Sequence, residues 1–424
     1  MILGRREAIG GMGLGLAELL QRRFPEQERL RLPEQQAFRL PPDLTSGAGL
    51  TGGWINVMDF GARGDSVTDD TQAILSAVQV AAARYGGGKV VFFPRPPVRY
   101  RIAQPLALPP ISHGWVVLLL DGVLELQGGP IEPESFYQIT GITSGGPFAF
   151  SKSAHAAIIV QRPIVGPAIL IRKKSAVRIE NVSVRYMLGE SNGIEVHDCS
   201  DVTLKGVHVA VAGDNTTGVP LVIRGGFNYR IEECGLNPSS LGDAPSILLG
   251  TSLETPHGPG TIHISRSFIV HNGVKIALNP GGNGLSSLFM EQNLFEAFKT
   301  ALLTIDAPGM FVGGILLIQN QMADPAVGPP FPPLIANRGN NVRSVMAVFN
   351  NNFGPFVSGD PIQGLEVWPL FQSTHGEIGQ SSNYIVHWPD RLDIGMPVRF
   401  LDTVSLAGIG QVLDPLSTLR DKPE

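Results

Sequence analysis

The run INVMDFGARGDSVTDDTQAILSAVQVAAARYGGGKVVFFP, from Ile55 to Pro94, holds a strand, a tight turn, a helix and a second strand. Thr68-Asp69-Asp70-Thr71 places N-cap chemistry and negative charge at a helix start. Ile74, Leu75, Val78, Ala81 and Ala82 follow at helical spacing and make one apolar stripe. Gly86-Gly87-Gly88 is expected to end the helix, because glycine takes the left-handed conformation at little cost. Lys89-Val90-Val91-Phe92-Phe93 is a β-rich run closed by Pro94. A helix with one apolar face, followed only by strands, reads as a lid. It would cover the open end of a β-stack whose backbone groups would otherwise be exposed.

From Gly166 the chain repeats. Strand starts fall at Ile169, Ile194, Leu221, Ile247, Val274, Leu302 and Leu334, spaced by 25, 27, 26, 27, 28 and 32 residues. Each unit holds a second strand, such as Val177–Ile179, Val202–Leu204, Tyr229–Ile231 and Leu288–Met290. Asn181, Cys234, Ser267, Asn293, Gln321 and Asn352 fall near the polar turn that follows. A period of this size with short strands inside each unit is a solenoid signature. One unit cannot bury its inward face alone, so units stack. The turn residues are expected to form a ladder that satisfies backbone groups between rungs. Residues 127–165 read as a long excursion and a candidate groove wall. The organisation expected is an export-type segment over 1–23, a linker over 24–53, the capped solenoid over 54–353, and final rungs or a C-terminal cap over 354–424.

Several residues of the opening stretch form an ordered set: Asp59-Phe60-Gly61-Ala62, Gly64-Asp65, Thr68-Asp69-Asp70-Thr71, Ala73-Ile74, Gly86-Gly87-Gly88 and Phe92-Phe93-Pro94. That set resembles the N-terminal signature of the pectate-lyase-like superfamily, shared by polygalacturonases, rhamnogalacturonase-like proteins and phage tailspikes. The resemblance implies an all-β fold, a right-handed parallel β-helix with an N-terminal capping helix, acting on or binding polysaccharide. It does not choose the reaction.

Composition narrows the partners. Charged residues are 16% of the chain and the net charge is −5, so nothing argues for nucleic acid. A local cationic groove for an acidic sugar remains compatible with that balance. Cys199 and Cys234 make no disulfide framework, and buried free thiols are expected. Arg5-Arg6 before a Gly- and Leu-rich segment resembles a twin-arginine export signal, with a short amphipathic helix as the alternative. The expected location is secreted or periplasmic. No stretch of 18 or more apolar residues is present, so no membrane span is expected.

Chemistry is expected where equivalent positions stack, roughly 4.8 Å apart from rung to rung. The most polar column precedes each first strand: Glu190 and Asn192, Asp214 and Asn215, Asp243, then His271 and Asn272. Outward positions add Glu195, His197, Arg224 and Lys275. The column resembles the polygalacturonase site. Ser191-Asn192-Gly193-Ile194 falls where that family has N-T-D-G-I, and Gly213-Asp214-Asn215 where it has G-D-D. His257-Gly258 resembles its H-G pair but comes about a rung late. Gly273-Val274-Lys275-Ile276 loosely resembles its G-I-R-I-K run. Two of three expected carboxylates are therefore amides. Inverting hydrolysis needs one carboxylic acid and one carboxylate. Asp214 would serve as acid, with Asp243, Glu195 or Glu190 as base.

The rival chemistry is β-elimination on a uronic acid polymer. It needs a cation to neutralise the sugar carboxylate and a base for the C5 proton. Arg224, Arg230 and Lys275 are its candidates, with His271 as a further titratable group and Asn192, Asn215, His197 and Arg230 as substrate contacts. Calcium would enter through Asp214 and Asp243, although no D-x-D-x-D cluster is present. Glu232, Glu291, Trp368 and Trp388 read as exposed or structural. Three functions fit. The first is a lyase or glycosidase cleaving an acidic polysaccharide. The second is a non-catalytic polysaccharide-binding or tailspike-like β-helix, favoured by the amides. The third is a polymer-level sugar epimerase. An exported enzyme of this kind is expected to be a monomer, a tailspike a trimer.

Overall fold

The structure, a computed structural model, describes residues 54–84, 89–142, 156–187, 191–211, 213–297, 299–308, 310–318, 320–323, 335–337, 343–349, 371–373 and 384–387. The chain forms a parallel β-solenoid of three sheets. Among the described residues, each coil from Val90 to Asn337 visits all three in turn. One coil runs Ile194–His197 in sheet I, Ser200–Lys205 in sheet II and His208–Val211 in sheet III. Sheets I and III hold ten described strands each and sheet II holds twelve. Every pairing between these strands is parallel, as in Ile194↔Leu221, Val202↔Tyr229 and His208↔Gly235.

The core follows from alternation. In sheet I the inward pairs are Ile169/Ile171, Ile194/Val196, Leu221/Ile223, Ile247/Leu249, Val274/Ile276 and Leu303/Ile305, all buried. Stacking like on like lets each β-branched or leucine side chain pack against its equivalent one rung away. The first five strand starts stand where the period puts them. The next two begin one residue later, at Leu303 and Ile335. Leu302 and Leu303 are adjacent and both buried, so hydropathy alone cannot choose between them. Pairing decides: Val274 lies opposite Leu303, and its N–H donates to the Leu302 carbonyl at 2.7 Å.

Helix α1, Thr71–Ala83, is the N-terminal lid. It packs on the first strands of sheet II, Ile55–Asn56 and Val90–Phe93. Ile74, Ala77, Val78, Ala81 and Ala82 are buried. Its start differs from the expected cap. Asp70 occupies the N-cap position without a side-chain bond to the helix. Its buried carboxylate instead accepts the N–H groups of Arg63 at 2.6 Å, Gly64 at 3.2 Å and Arg101 at 3.2 Å. Asp69 accepts from the N–H groups of Thr71 and Ala103, both at 3.1 Å. The acidic pair therefore joins the turn before the helix to the strand Arg99–Ile102. Gly86 to Gly88 lie outside the described residues, and the helix ends at Ala83 with Arg84 extended.

Between sheets II and III the chain turns in two residues. The first is left-handed, at Asn181, Gly206, Glu233, Arg266 and Gln292, with φ from 48° to 61°. The second is buried and forms the expected ladder, in a register one residue off at two points. Asn181 sits in the left-handed column, and Asn320 rather than Gln321 continues the ladder. The Cys234 N–H donates to Ser267 Oγ at 3.1 Å, the Ser267 N–H to Asn293 Oδ1 at 3.0 Å, and the Asn293 N–H to Asn320 Oδ1 at 3.1 Å. Asn293 Nδ2 also donates to the Ile264 carbonyl at 2.9 Å. Asn352, Trp368 and Trp388 lie outside the described residues. Cys199 and Cys234 are free and buried, and burial pushes their thiols up to about 11 and about 12.

Residues 127–165 are not one long excursion. They supply a coil of their own: Ile131–Glu132 in sheet I, Tyr137–Gly141 in sheet II and Ala157–Ile159 in sheet III. Residues 143–155, between the last two, lie outside the described residues.

Replacing Asn293 with Ala leaves the Ser267 N–H and the Ile264 carbonyl buried without their partner. Urea unfolding is expected to show a loss of about 2–3 kcal/mol. Glu291→Ala, two residues earlier and exposed, should stay within about 0.5 kcal/mol.

Candidate functional site

Two columns of side chains point outward from sheet I. Leu170, Glu195, Val222, Leu248, Lys275 and Thr304 form one; Arg172, His197, Arg224, Gly250, Ala277 and Asp306 form the other. The structure divides the expected site between two clusters on this face.

The first cluster centres on Glu195. Its Oε1 accepts Asn192 Nδ2 at 2.7 Å, and its Oε2 bonds His197 Nε2 at 2.8 Å. Asn192 is fixed in turn, because its Oδ1 accepts the Val219 N–H of the next coil at 2.7 Å. His197 is buried although it faces outward, while the Glu195 side chain keeps 18% of its surface exposed. Burial alone would raise the Glu195 pKa. The hydrogen bonds from His197 and Asn192, with the charges of His197 and Arg224, outweigh it and hold the carboxyl below its usual range. Arg172, His197 and Arg224 are partners in register, so three potential cations stack on successive rungs. Arg224 leans over the next rung, where the absence of a side chain at Gly250 makes room. A Cβ there would sit 2.9 Å from Arg224 Nη1.

The second cluster lies further along the same face. Asp243, Pro245, Gly273, Val274, Lys275, Thr300, Ala301 and Thr304 line a cleft of about 180 Å³. Lys275 Nζ is 3.6 Å from Asp306 Oδ2. Glu195 and Lys275 share a column but stand three rungs apart, about 14 Å at the usual strand spacing.

Loops on both sides frame the face. Ser252 Oγ donates to Asp198 Oδ2 at 2.8 Å and accepts the Glu254 and Thr255 N–H groups at 3.1 Å. Glu254 pairs with Lys173, so the loop after Gly250 reaches back over earlier coils. On the other side Asn215 and Asn272 are buried. Asn215 Nδ2 donates to the Ser191 carbonyl at 2.8 Å, and its Oδ1 accepts the Gly218 N–H at 2.7 Å. Asn272 Nδ2 donates to the Gly242 and Ala244 carbonyls at 3.2 and 2.9 Å. These amides stitch the loops together.

The remaining expected residues are placed apart. Asp214 is exposed on its loop beside Asn215. His271 sits in a left-handed turn with φ 67°, outside the lining of the second cleft, and burial pushes its pKa down. Arg230 is on the outer face of sheet II, between Thr203 and His263, so it does not join Arg224 and Lys275. Glu232 lies on that same sheet, opposite Lys205. His257 is exposed and bridges to Asn283 in the next coil. Glu190 lies outside the described residues. Among the described residues no group of three or more His, Cys, Asp or Glu side chains is arranged to hold a metal ion, so Asp214 and Asp243 belong to no such group. Arg172, Asp198, Thr300, Thr304 and Asp306 were not singled out from sequence. Arg172 was within reach, since it stands 25 residues before His197, one period of the repeat.

Residues 54–119 match the family model described as rhamnogalacturonase A/epimerase, pectate lyase-like. The match covers the cap and the first coils, the stretch whose residues carried the resemblance. No curated protein matches the chain in sequence. Among solved structures, the chain is similar to ORF18 of Geobacillus virus E2, at 12% identity and TM-score 0.37 over 79% of the chain and 61% of that protein. It is similar to the A-module of the mannuronan C-5 epimerase AlgE4 of Azotobacter vinelandii, at 14% identity and TM-score 0.39 over 82% and 98%. The family 28 exopolygalacturonase of Yersinia enterocolitica matches at 13% identity and TM-score 0.34 over 78% and 64%. Among the described residues no helix is long and apolar enough to cross a membrane.

The depressed pKa of Glu195 has a measurable consequence. Its ionised form contributes stability that is fully present above the unfolded value near 4.5 and is lost as the pH falls through the lower folded value. Denaturant unfolding from pH 6 to pH 3 is expected to show a shallower acid loss in Glu195→Gln than in the wild type.

Proposed function

We propose that this protein cleaves an acidic polysaccharide on the outer face of sheet I, by β-elimination at a uronate. One observation carries the reading: a carboxylate held ionised and hydrogen-bonded to a histidine stands beside the cationic column of Arg172 and Arg224. The arginines suit a sugar carboxylate, since a guanidinium matches it with two parallel donors. Neutralising that carboxylate acidifies the C5 proton. The Glu195–His197 pair is the proton acceptor. As the C5–H bond breaks and its proton passes to that pair, the C4–C5 double bond forms and the C4–O bond breaks, its electrons leaving on the oxygen of the released chain, which takes a proton from water. Asn192 positions Glu195. The pectate lyase-like match over 54–119 supports a polysaccharide as partner. Export to the cell exterior or periplasm belongs to the same proposal, because that is where such a polymer would be met.

Hydrolysis would use Glu195 as base toward water, with Asp214 as acid. A panel of acidic and neutral polysaccharides separates the readings when unsaturated ends and reducing ends are recorded together. The expected result is both signals on a uronate polymer. Reducing ends alone would replace elimination with hydrolysis. C5 proton exchange in heavy water without cleavage would replace it with epimerisation. Binding with neither change would make the protein a polysaccharide-binding module. Within the proposal, Glu195→Gln should lower kcat by about 100-fold or more. Arg224→Ala should lower kcat/KM on uronate polymers by a similar factor, because the carboxylate develops charge in the transition state.

A further inference from the structure

The second cleft differs in charge from the first. Its lining brings one ammonium, Lys275, together with the Asp243 carboxylate, and the partner of Lys275 is a second carboxylate, Asp306. A ligand bearing its own carboxylate would meet two like charges and one cation already engaged. Hydroxyl groups meet the opposite situation. A carboxylate accepts from them, and an ammonium and the Thr304 hydroxyl can donate to them, while the Thr300 hydroxyl, which donates to Asn272 Oδ1 at 3.4 Å, can accept. Pro245, half-buried at the mouth, adds a small apolar surface of the kind that lies against the C–H face of a sugar ring. A volume of about 180 Å³ is below the roughly 300–1,000 Å³ of sites for drug-sized ligands, which suits one ring rather than an oligomer.

We propose that the Asp243–Lys275 cleft is a binding subsite for a single neutral, hydroxyl-rich sugar unit, separate from the Glu195 centre. This rests on the outer face of sheet I being the polymer path. Asp243 and Lys275 then serve in binding instead of in chemistry. The three-rung separation from Glu195 places them at a different sugar unit from the one that reacts.

The test uses the full chain and ligand-observed NMR titrations with neutral trisaccharides of glucose, galactose and mannose, and with trigalacturonate. At least one neutral trisaccharide should bind. Asp243→Ala and Lys275→Ala should each weaken that binding about tenfold, the loss of one charge-assisted hydrogen bond. Glu195→Gln should change it less than twofold. Asp243→Lys reverses the charge of the cleft. In an Arg224→Ala background it should move the preference toward trigalacturonate. Asp243 is exposed on a loop, and circular dichroism melting confirms that each variant is folded. The subsite is overturned if no neutral trisaccharide binds, or if neutral binding ignores both cleft substitutions. Trigalacturonate binding that depends on Arg224, with no neutral sugar bound, would sink the subsite and leave the elimination reading intact. Neutral binding governed by Asp243, in a protein that turns over no uronate polymer, would do the reverse.

Discussion

Between its ends, each described rung of this solenoid hydrogen-bonds its backbone to the rung before and the rung after, in three parallel sheets at once. Such a ladder tolerates no slip. A shift by one residue would turn the inward aliphatic pairs outward and bury Glu195, Arg224 and Lys275 in their place. The register is therefore held by two sets of interactions that act together: aliphatic stacking inside, and the Ser267–Asn293–Asn320 ladder at the turn. Because register is fixed, any outward column becomes a row of side chains at a constant spacing. The candidate site is a product of that regularity.

The ends of such a stack are its weak points, since the last rung has no partner. At the N-terminal end helix α1 lies against the first strands of sheet II, and the Asp69–Asp70 pair anchors the turn ahead of it. That explains why acidic residues stand in the opening signature. They satisfy backbone N–H groups at the junction of two coils, and Asp69 also accepts the Thr71 N–H at the helix start.

The outer face of sheet I is where order and irregularity meet. Its six central strands, from Ile169–Arg172 to Leu303–Asp306, are each four residues long, whereas the loops entering and leaving them vary from coil to coil. Variation in the loops costs the core nothing, because their ends are fixed by the ladder. The Glu254–Lys173 pair and the Asn272 contacts show loops reaching across coils instead of closing on their own. Two chemically different clusters can then occupy one face: a carboxylate–imidazole pair with arginines at one end, and a mixed-charge cleft at the other.

The sequence by itself determined the solenoid, because the inward period of 25 to 28 residues has to be written into hydropathy for any stack to form. It also determined the lid and five of seven strand starts. It pointed to Glu195, His197 and Arg224, since alternation on a half-buried strand sends them outward together. Only the tertiary structure decided which outward residues share a face. Arg230 and Arg224 look equivalent in the repeat, yet they stand on different sheets, and nothing in a linear period says where a coil bends. Asn215 and Asn272 look like site amides in sequence, but the loops fold so that their side chains are consumed by backbone groups. The joining of Asp243 to Lys275 and Asp306 likewise depends on loop paths that no local preference encodes. Strand register follows from short-range alternation, whereas the meeting of side chains from three coils follows from where the loops close.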